Sequence, residues 1–367
     1  MLGQCIDSNR ARGRGLRLCT LASYNRPVMR GLDVTYFVRR IGMFFLVIFV
    51  AASFNFFIPR LAPGNPIGAI TSRMSQASAG IENGQAMFEA YRKRFGLDEP
   101  LYVQYGKYMW NTIRFDFGQS LSAYPADVSE IIRPAIGWSM GLIGTSVVLT
   151  FGLGITIGAL LAWKGTPKLV RALLPVTLIG GVLPYYLLAM LLLYVFAFTS
   201  RVLPMSGAYD SGTRIELSWP YITNIARHAV LPALSIMLTS LGTWALTMRG
   251  LMVNSIGEDY MLLADAKGLP KWRILWWYSV RNAIPPQVTH LGIALGYVVS
   301  GAILVEIVFS YPGLGYQLYQ SIVNSDYTVI QGITLILAIS VGLGVLLIDL
   351  IYPRLDPRVT YVAESSG

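Results

Sequence analysis

The segment DYMLLADAKGLPKWRILWWYSVRNAIP, residues 259–285, is a charged, helix-prone insert between two long apolar runs. Glu258 and Asp259 suit the positive end of a short helix predicted over about 260–267. Gly268 fits the left-handed position that stops a helix, and Pro270 fits the first turn of the next. The result is a two-helix elbow with Asp265, Ala266 and Lys267 at its tip. Ala264 and Ala266 are small, so a partner surface could approach the backbone there. The second helix, from Lys271, carries Trp272, Trp276, Trp277 and Tyr278, a belt expected at a membrane interface. The insert reads as a handle that another protein can grip.

Working outward, the flanks are membranous. Hydrophobic residues make up 54% of the 367-residue chain and charged residues 13%; soluble proteins carry about 25% charged residues. Six stretches reach the ~20 residues a helix needs to span hydrocarbon: about 36–58, 136–163, 172–198 (with Pro184 inside), 229–248, 286–305 and 328–350. The runs are continuous rather than alternating, which excludes a β-barrel pattern. The fold class is therefore an all-α integral membrane protein of about six spans.

The net charge of +10 orients the chain rather than recruiting nucleic acid, because the basic residues sit beside the spans. Lys164, Lys168 and Arg171, the run from Arg249 to Arg281, and Arg354 with Arg358 fall on the same side as the tail. The two shorter loops opposite hold only Arg201, Arg214 and Arg227. Both termini are expected in the cytoplasm. Residues 1–35 read as a basic cytoplasmic tail or a product of start-site choice, Met29 lying just before the first span. No apolar run with a cleavage site precedes Arg39-Arg40, so no cleaved signal peptide is expected. The cysteines, Cys5 and Cys19, match no metal or redox spacing.

The remaining organisation follows from these spans. Residues 59–135 are expected to form a small outer helical domain, with one amphipathic helix at 85–95 and another opening at Asp98-Glu99-Pro100. Residues 136–352 form a five-helix core containing the loop 253–285, and 353–367 a cytoplasmic tail. Gly137-x-x-x-Gly141, Gly154-x-x-x-Gly158, Gly342 and Gly344 allow close helix approach, favouring intrachain packing over a dimer seam. Glu306, Asp349 and His290 lie at or near span ends, which favours capping, hydration or an arginine neighbour over a proton relay. Pro312, Gly313 and Gly315 form a turn ahead of a short helix at 316–322, either part of a gate or docking surface or a packed loop.

The ordered set of motifs resembles the ABC importer permeases of the dipeptide/oligopeptide/nickel group. Asp259-Tyr260 with Ala264-Asp265-Ala266-Lys267-Gly268-Leu269 resembles the family's coupling loop, followed by Arg281-Asn282-Ala283 and Pro286. The general permease motif begins Glu-Ala-Ala where this chain has Leu262-Leu263-Ala264, a departure that the peptide group shares. Further matches are Tyr36-x-x-Arg39-Arg40, Leu61-Ala-Pro-Gly-Asn-Pro66, Phe95-Gly-Leu-Asp-Glu-Pro100, Gln104-Tyr105, Phe115-Asp-Phe-Gly-Gln-Ser120, Glu306-x-x-Phe309-Ser-Tyr-Pro-Gly-Leu-Gly315, Asp326-Tyr327 and Asp356-Pro-Arg358. They cover about 34–360.

The resemblance implies a permease subunit in the bacterial inner membrane that pairs with a second, homologous permease. Two cytoplasmic ABC ATPases would dock on the elbow through Asp259, Tyr260, Ala264, Asp265, Ala266, Lys267, Gly268 and Leu269. An outer solute-binding protein would deliver cargo near Tyr311, Pro312, Gly313, Leu314 and Gly315, the proposed outer gate or docking surface. The chain has no phosphate-binding Gly-x-x-x-x-Gly-Lys-Ser/Thr loop. It is thus expected to be no enzyme and to hold no cofactor, with ATP and magnesium on the partner ATPases. Peptide is the first choice of cargo and oligosaccharide the second; nickel is disfavoured because no His/Cys cluster lines a span. A secondary transporter working alone is the competing class, and an intramembrane enzyme the weakest.

Overall fold

A computed structural model describes residues 34–61, 99–120, 122–123, 125–213, 216, 218–296, 298 and 303–355. The helix expected at 85–95, both tails, and the Leu61–Pro66 and Asp356–Arg358 motifs lie wholly or mostly outside the described residues. The described residues form helices and connecting loops; an isolated bridge pairs Gln119 with Asp127.

The helices in chain order are α1 (Val34–Leu61), α2 (Leu101–Ile113), α3 (Val128–Ala162), α4 (Lys168–Arg171), α5 (Leu173–Val182), α6 (Tyr185–Leu192), α7 (Trp219–Ile256), α8 (Asp259–Ala266), α9 (Lys271–Arg273), α10 (Arg281–Gly296), α11 (Ile303–Val308), α12 (Leu314–Val323) and α13 (Tyr327–Leu355). Two π-helical stretches, Leu193–Thr199 and Ile274–Val280, continue α6 and α9. Among the described residues four helices are long and apolar enough to cross a membrane: α1, α3, α7 and α13. A further apolar pair, Lys168–Val182 and Tyr185–Thr199, is bent by 110°, the geometry of a broken span or a re-entrant loop. The bend is at Leu183, whose backbone (φ −74°, ψ 129°) is extended. A residue before proline is pushed into that region, so Pro184 breaks the helix expected over 172–198. The stretch expected as the 286–305 span includes most of α10 and the start of α11, neither of which is among those long apolar helices.

Two spans are longer than their apolar cores suggest. α3 starts at Val128, ahead of the expected 136, and passes through Pro134. Proline in the second turn removes one hydrogen bond near a helix start, while Val128, Ile132 and Ala135 are buried against Leu314, Val329 and Ile333. That packing carries the helix past the expected boundary. α7 runs from Trp219, with Pro220 in its first turn, to Ile256, well beyond 229–248. Its added first turns hold polar side chains tied to the preceding loop. Asn224 Nδ2 donates to Asp210 Oδ2 at 2.6 Å, Arg227 donates to the Val202 carbonyl at 2.8 Å, and His228 Nε2 lies 3.5 Å from Asp210 Oδ1.

Small residues set the helix spacing inside the bundle. A methyl group on Gly154 or Gly158 of α3 would collide with Trp244, Ala245 or Met248 of α7. One on Gly180 of α5 would strike the Leu238 carbonyl of α7, and one on Gly242 the Thr177 carbonyl. Gly154-x-x-x-Gly158 therefore serves packing within the chain, as expected where apolar solvent offers no drive for association. Gly137 and Gly141 face open space. Polar glue joins the first and last spans: Asn55 donates to the Gln331 carbonyl at 2.7 Å and accepts from Thr334 Oγ1 at 2.7 Å. At the far end of the same pair Arg40 meets Asp349 at 3.0 Å. The arginine partner expected for Asp349 is thus Arg40.

α2 matches the amphipathic segment after Pro100. Its Tyr105 hydroxyl bonds Ser53 at 2.8 Å, and the rings of Tyr105 and Tyr108 pack on buried Phe56 of α1.

The elbow and the latch at opposite ends of the bundle

α3 links two candidate functional regions. Near its C-terminus, Ile155 and Ala159 pack with Met248, Met252, Leu275, Val280 and Ala283, the roots of the elbow. Its N-terminus packs with α12 and α13. About 35 helical residues at ~1.5 Å each separate these ends by roughly 50 Å, enough to cross a bilayer.

At the elbow, α8 begins at Asp259 and ends at Ala266. Gly268 has φ +70°, the left-handed conformation expected of it. The Gly268 amide donates to the Asp265 carbonyl at 2.9 Å and the Leu269 amide to the Ala264 carbonyl at 3.4 Å. Those are the paired bonds of a Schellman stop, and Leu269 packs beside Ala264 as that motif requires. Ala264-x-x-x-Gly268-Leu269 is thus a helix terminator. Ala264 is buried with Met261 and Ile274, against Trp163 at the end of α3. Its small side chain lets the elbow close on its own chain and offers nothing to a partner, contrary to expectation. Tyr260 is likewise half-buried, its hydroxyl 2.5 Å from Ser255 Oγ.

Asp259, Asp265, Ala266, Lys267 and Gly268 are exposed. Beside them stand Leu262 and Leu263, 66% and 57% exposed, two residues that sequence reasoning passed over. Their signal was present: apolar side chains replacing Glu-Ala in a charged helix have a reason to be bare. Trp272, Trp276 and Trp277 also face outward, while Ile274 and Leu275 turn in. The π-helical turn over Ile274–Val280 was not foreseen from the sequence; it joins the elbow to α10 without a break.

The other end is a latch. Glu306, 1% exposed, accepts Ser139 Oγ at 2.6 Å, the Gly315 amide at 2.6 Å and the Tyr316 amide at 3.3 Å. Ser139 Oγ accepts the Leu314 amide at 2.8 Å. A carboxylate and a hydroxyl so cap the first turn of α12, where amides lack helical partners. Glu306 is a cap, as its terminal position suggested, for the following helix rather than its own. A methyl group on Gly313 would overlap the Glu306 carboxylate, and one on Gly315 would meet Ile303 and Glu306. Both glycines are there for space.

Tyr311, Gly313, Leu314 and Gly315 are consequently buried, and Pro312 is half-buried. The packed-loop alternative describes this segment. Four of its five residues are inside, so the segment itself presents little surface. It fixes the outward-facing α12 instead.

A second clasp sits alongside. Asp326, at the N-cap of α13, accepts Ser120 Oγ at 2.5 Å, the Ser122 amide at 2.9 Å and Ser122 Oγ at 2.7 Å through one oxygen. The other oxygen accepts Thr328 Oγ1 at 2.8 Å and the Val329 amide at 3.2 Å. Burial alone would raise this carboxyl, but the hydrogen bonds from Ser120, Ser122 and Thr328 outweigh it and hold it below the ordinary aspartate value. Among the described residues no group of three or more His, Cys, Asp and Glu side chains could hold a metal.

These features define a multi-pass helical membrane protein with an exposed handle at one end and a pinned helix at the other. Residues 154–361 match the family of binding-protein-dependent transport system inner membrane components. The chain belongs to that family and is a multi-pass inner membrane protein. It is 31% identical to the probable peptide ABC transporter permease protein y4tP of Sinorhizobium fredii, over 89% of this chain and 99% of that one. It is 28% identical to the oligopeptide transport system permease protein AppB of Bacillus subtilis, with the same coverage. The probable D,D-dipeptide transport system permease protein DdpB of Escherichia coli is 30% identical over 86% of this chain and 94% of its own.

Proposed function

We propose that the chain is one permease subunit of an ATP-driven importer for peptides. It pairs with a second, related permease, with two ATPases beneath the elbow and a solute-binding protein at the latch end. Relatives whose names specify peptide, oligopeptide and D,D-dipeptide support the cargo. They give no support to the oligosaccharide alternative.

One observation carries the coupling role: the elbow is locked within itself and bare at its tip. The Schellman stop fixes α8, while Leu262, Leu263, Asp265, Ala266 and Lys267 remain for a partner. Two residues, Gly257 and Glu258, separate α7 from α8, and Met261 and Ala264 rest on Trp163 just past α3. A push on α8 would therefore reach α3, α7 and α10 together. The ATPase supplies energy only through contacts that differ between its states, and an exposed rigid handle is where such contacts act. By this reading the elbow and both termini lie in the cytoplasm and the latch lies outside.

Gly268→Val tests the docking. A β-carbon in left-handed backbone costs about 1–2 kcal/mol, little enough for the chain to accumulate in the membrane. The expected result is normal membrane levels, loss of ATPase co-purification and loss of peptide uptake in reconstituted vesicles. Retained co-purification and uptake would overturn the elbow's role, and ATP-independent uptake by this chain alone would favour the secondary-transporter reading.

A further inference from the structure

At the latch end a cleft of about 420 Å³ opens between the first three turns of α3 and the face of α12. That volume is within the ~300–1,000 Å³ range of small-molecule sites. We propose that it binds the amino-terminal end of a peptide, with Glu130 holding the ammonium group. The proposal deepens the peptide-importer reading and rests on it.

The lining is chemically suited to this ligand. Gln317, Gln320 and Asn324 follow one another at three and four residues, so they share a face of α12. Side-chain amides offer both a donor and an acceptor, the pair that a peptide backbone requires. Gln320 Nε2 is committed to the Tyr316 hydroxyl at 2.8 Å, which leaves its carbonyl oxygen for a ligand N–H. Trp138 and Pro134 give the opposite wall an apolar surface for a side chain.

Charge selects which end of the peptide enters. Among the described residues two carboxylates line the cleft, Glu130 and Asp326, and no basic residue does. Asp326 spends its oxygens on Ser120, Ser122, Thr328 and Val329. Glu130 is exposed, in the first turn of α3, with no ion pair among the described residues. A single accessible carboxylate favours an ammonium group and repels a terminal carboxylate.

The walls are also fixed in advance. Glu306 and Ser139 pin the start of α12, the Asp326 amide donates to the Ser321 carbonyl at 2.8 Å near its end, and Asp326 ties Ser122 to α13. A preformed site loses little freedom on binding.

The test uses the complete transporter, reconstituted with its ATPases and solute-binding protein, and two probes, trialanine and N-acetyl-trialanine. Glu130→Gln, an exposed substitution compatible with folding, is expected to raise KM for trialanine about tenfold, the worth of one charge-assisted hydrogen bond. KM for the acetylated probe should not change. In a Cys5→Ser, Cys19→Ser background, Asn324→Cys should react with a membrane-impermeant maleimide added on the binding-protein side, and trialanine should slow that reaction more than N-acetyl-trialanine does. Normal trialanine kinetics in Glu130→Gln, or labelling indifferent to trialanine, would overturn the site while uptake continues. Failure of the unmodified transporter to move trialanine would overturn the peptide reading and this site with it.

Discussion

At the scale of the residue, the most constrained position is Glu306. A buried carboxylate is costly unless hydrogen bonds satisfy it, and here a hydroxyl and two amides do so. Glu306→Ala would leave those donors stranded, at a cost of about 3 kcal/mol given the ~1.5–3 kcal/mol worth of hydrogen bonds to charged groups. Thermal unfolding of the purified protein should show this loss, with Glu306→Gln intermediate because one acceptor oxygen survives. An unchanged melting temperature in Glu306→Ala would show that the latch holds nothing. The sequence placed Glu306 at a helix end, where a cap, hydration or an arginine neighbour was expected, but Ser139 was invisible as its partner. The two serine and glutamate positions are 167 apart in the chain, and a serine in an apolar helix has no pattern of its own.

At the scale of the element, α10 contains an unexplained polar group. Gln287 is 0% exposed, and both atoms of its amide lack a partner among the described residues. An unsatisfied buried amide costs about 1–3 kcal/mol. Gln287→Leu, of similar size, is therefore expected to raise thermal stability by about 1–2 kcal/mol, measured in detergent. A fall in stability would mean that the amide is satisfied after all. The place of α10 beside the elbow was legible in the sequence, but its termini were not. Its start was hidden by the π-helical turn, whose irregular hydrogen bonding follows no residue pattern. The broken α5–α6 pair shows the converse. Pro184 was plain inside the expected 172–198 span, but the 110° break there came only with the structure.

At the scale of the whole molecule, Asp326 joins the loop after α2 to the last span, so the closure of this end depends on pH. The folded carboxyl lies below its ordinary value, so its stabilisation is complete above the unfolded value of about 3.9. It fades as pH falls through the lower folded value. Hydrogen exchange should show Ser122 and Val329 amides protected near neutral pH and losing protection in acid below that range. Asp326→Asn should remove this pH dependence and leave the amides less protected throughout. Retention of the same acid transition by Asp326→Asn would assign the transition to another group.

What the sequence determined by itself is the solvent and the punctuation: apolar runs long enough for lipid, the basic residues beside them, and the glycine and prolines that stop and start the elbow. These are local properties, since a transfer free energy or a forbidden φ belongs to one residue or one turn. What only the tertiary structure decided is which face each side chain presents. Ala264 turned inward while Leu262 and Leu263 turned outward, and the Tyr311–Gly315 turn was buried by a glutamate and a serine from separate helices. In a bundle surrounded by lipid, hydrophobicity does not distinguish inside from outside, so helix rotation is set by close packing and hydrogen bonds between distant segments.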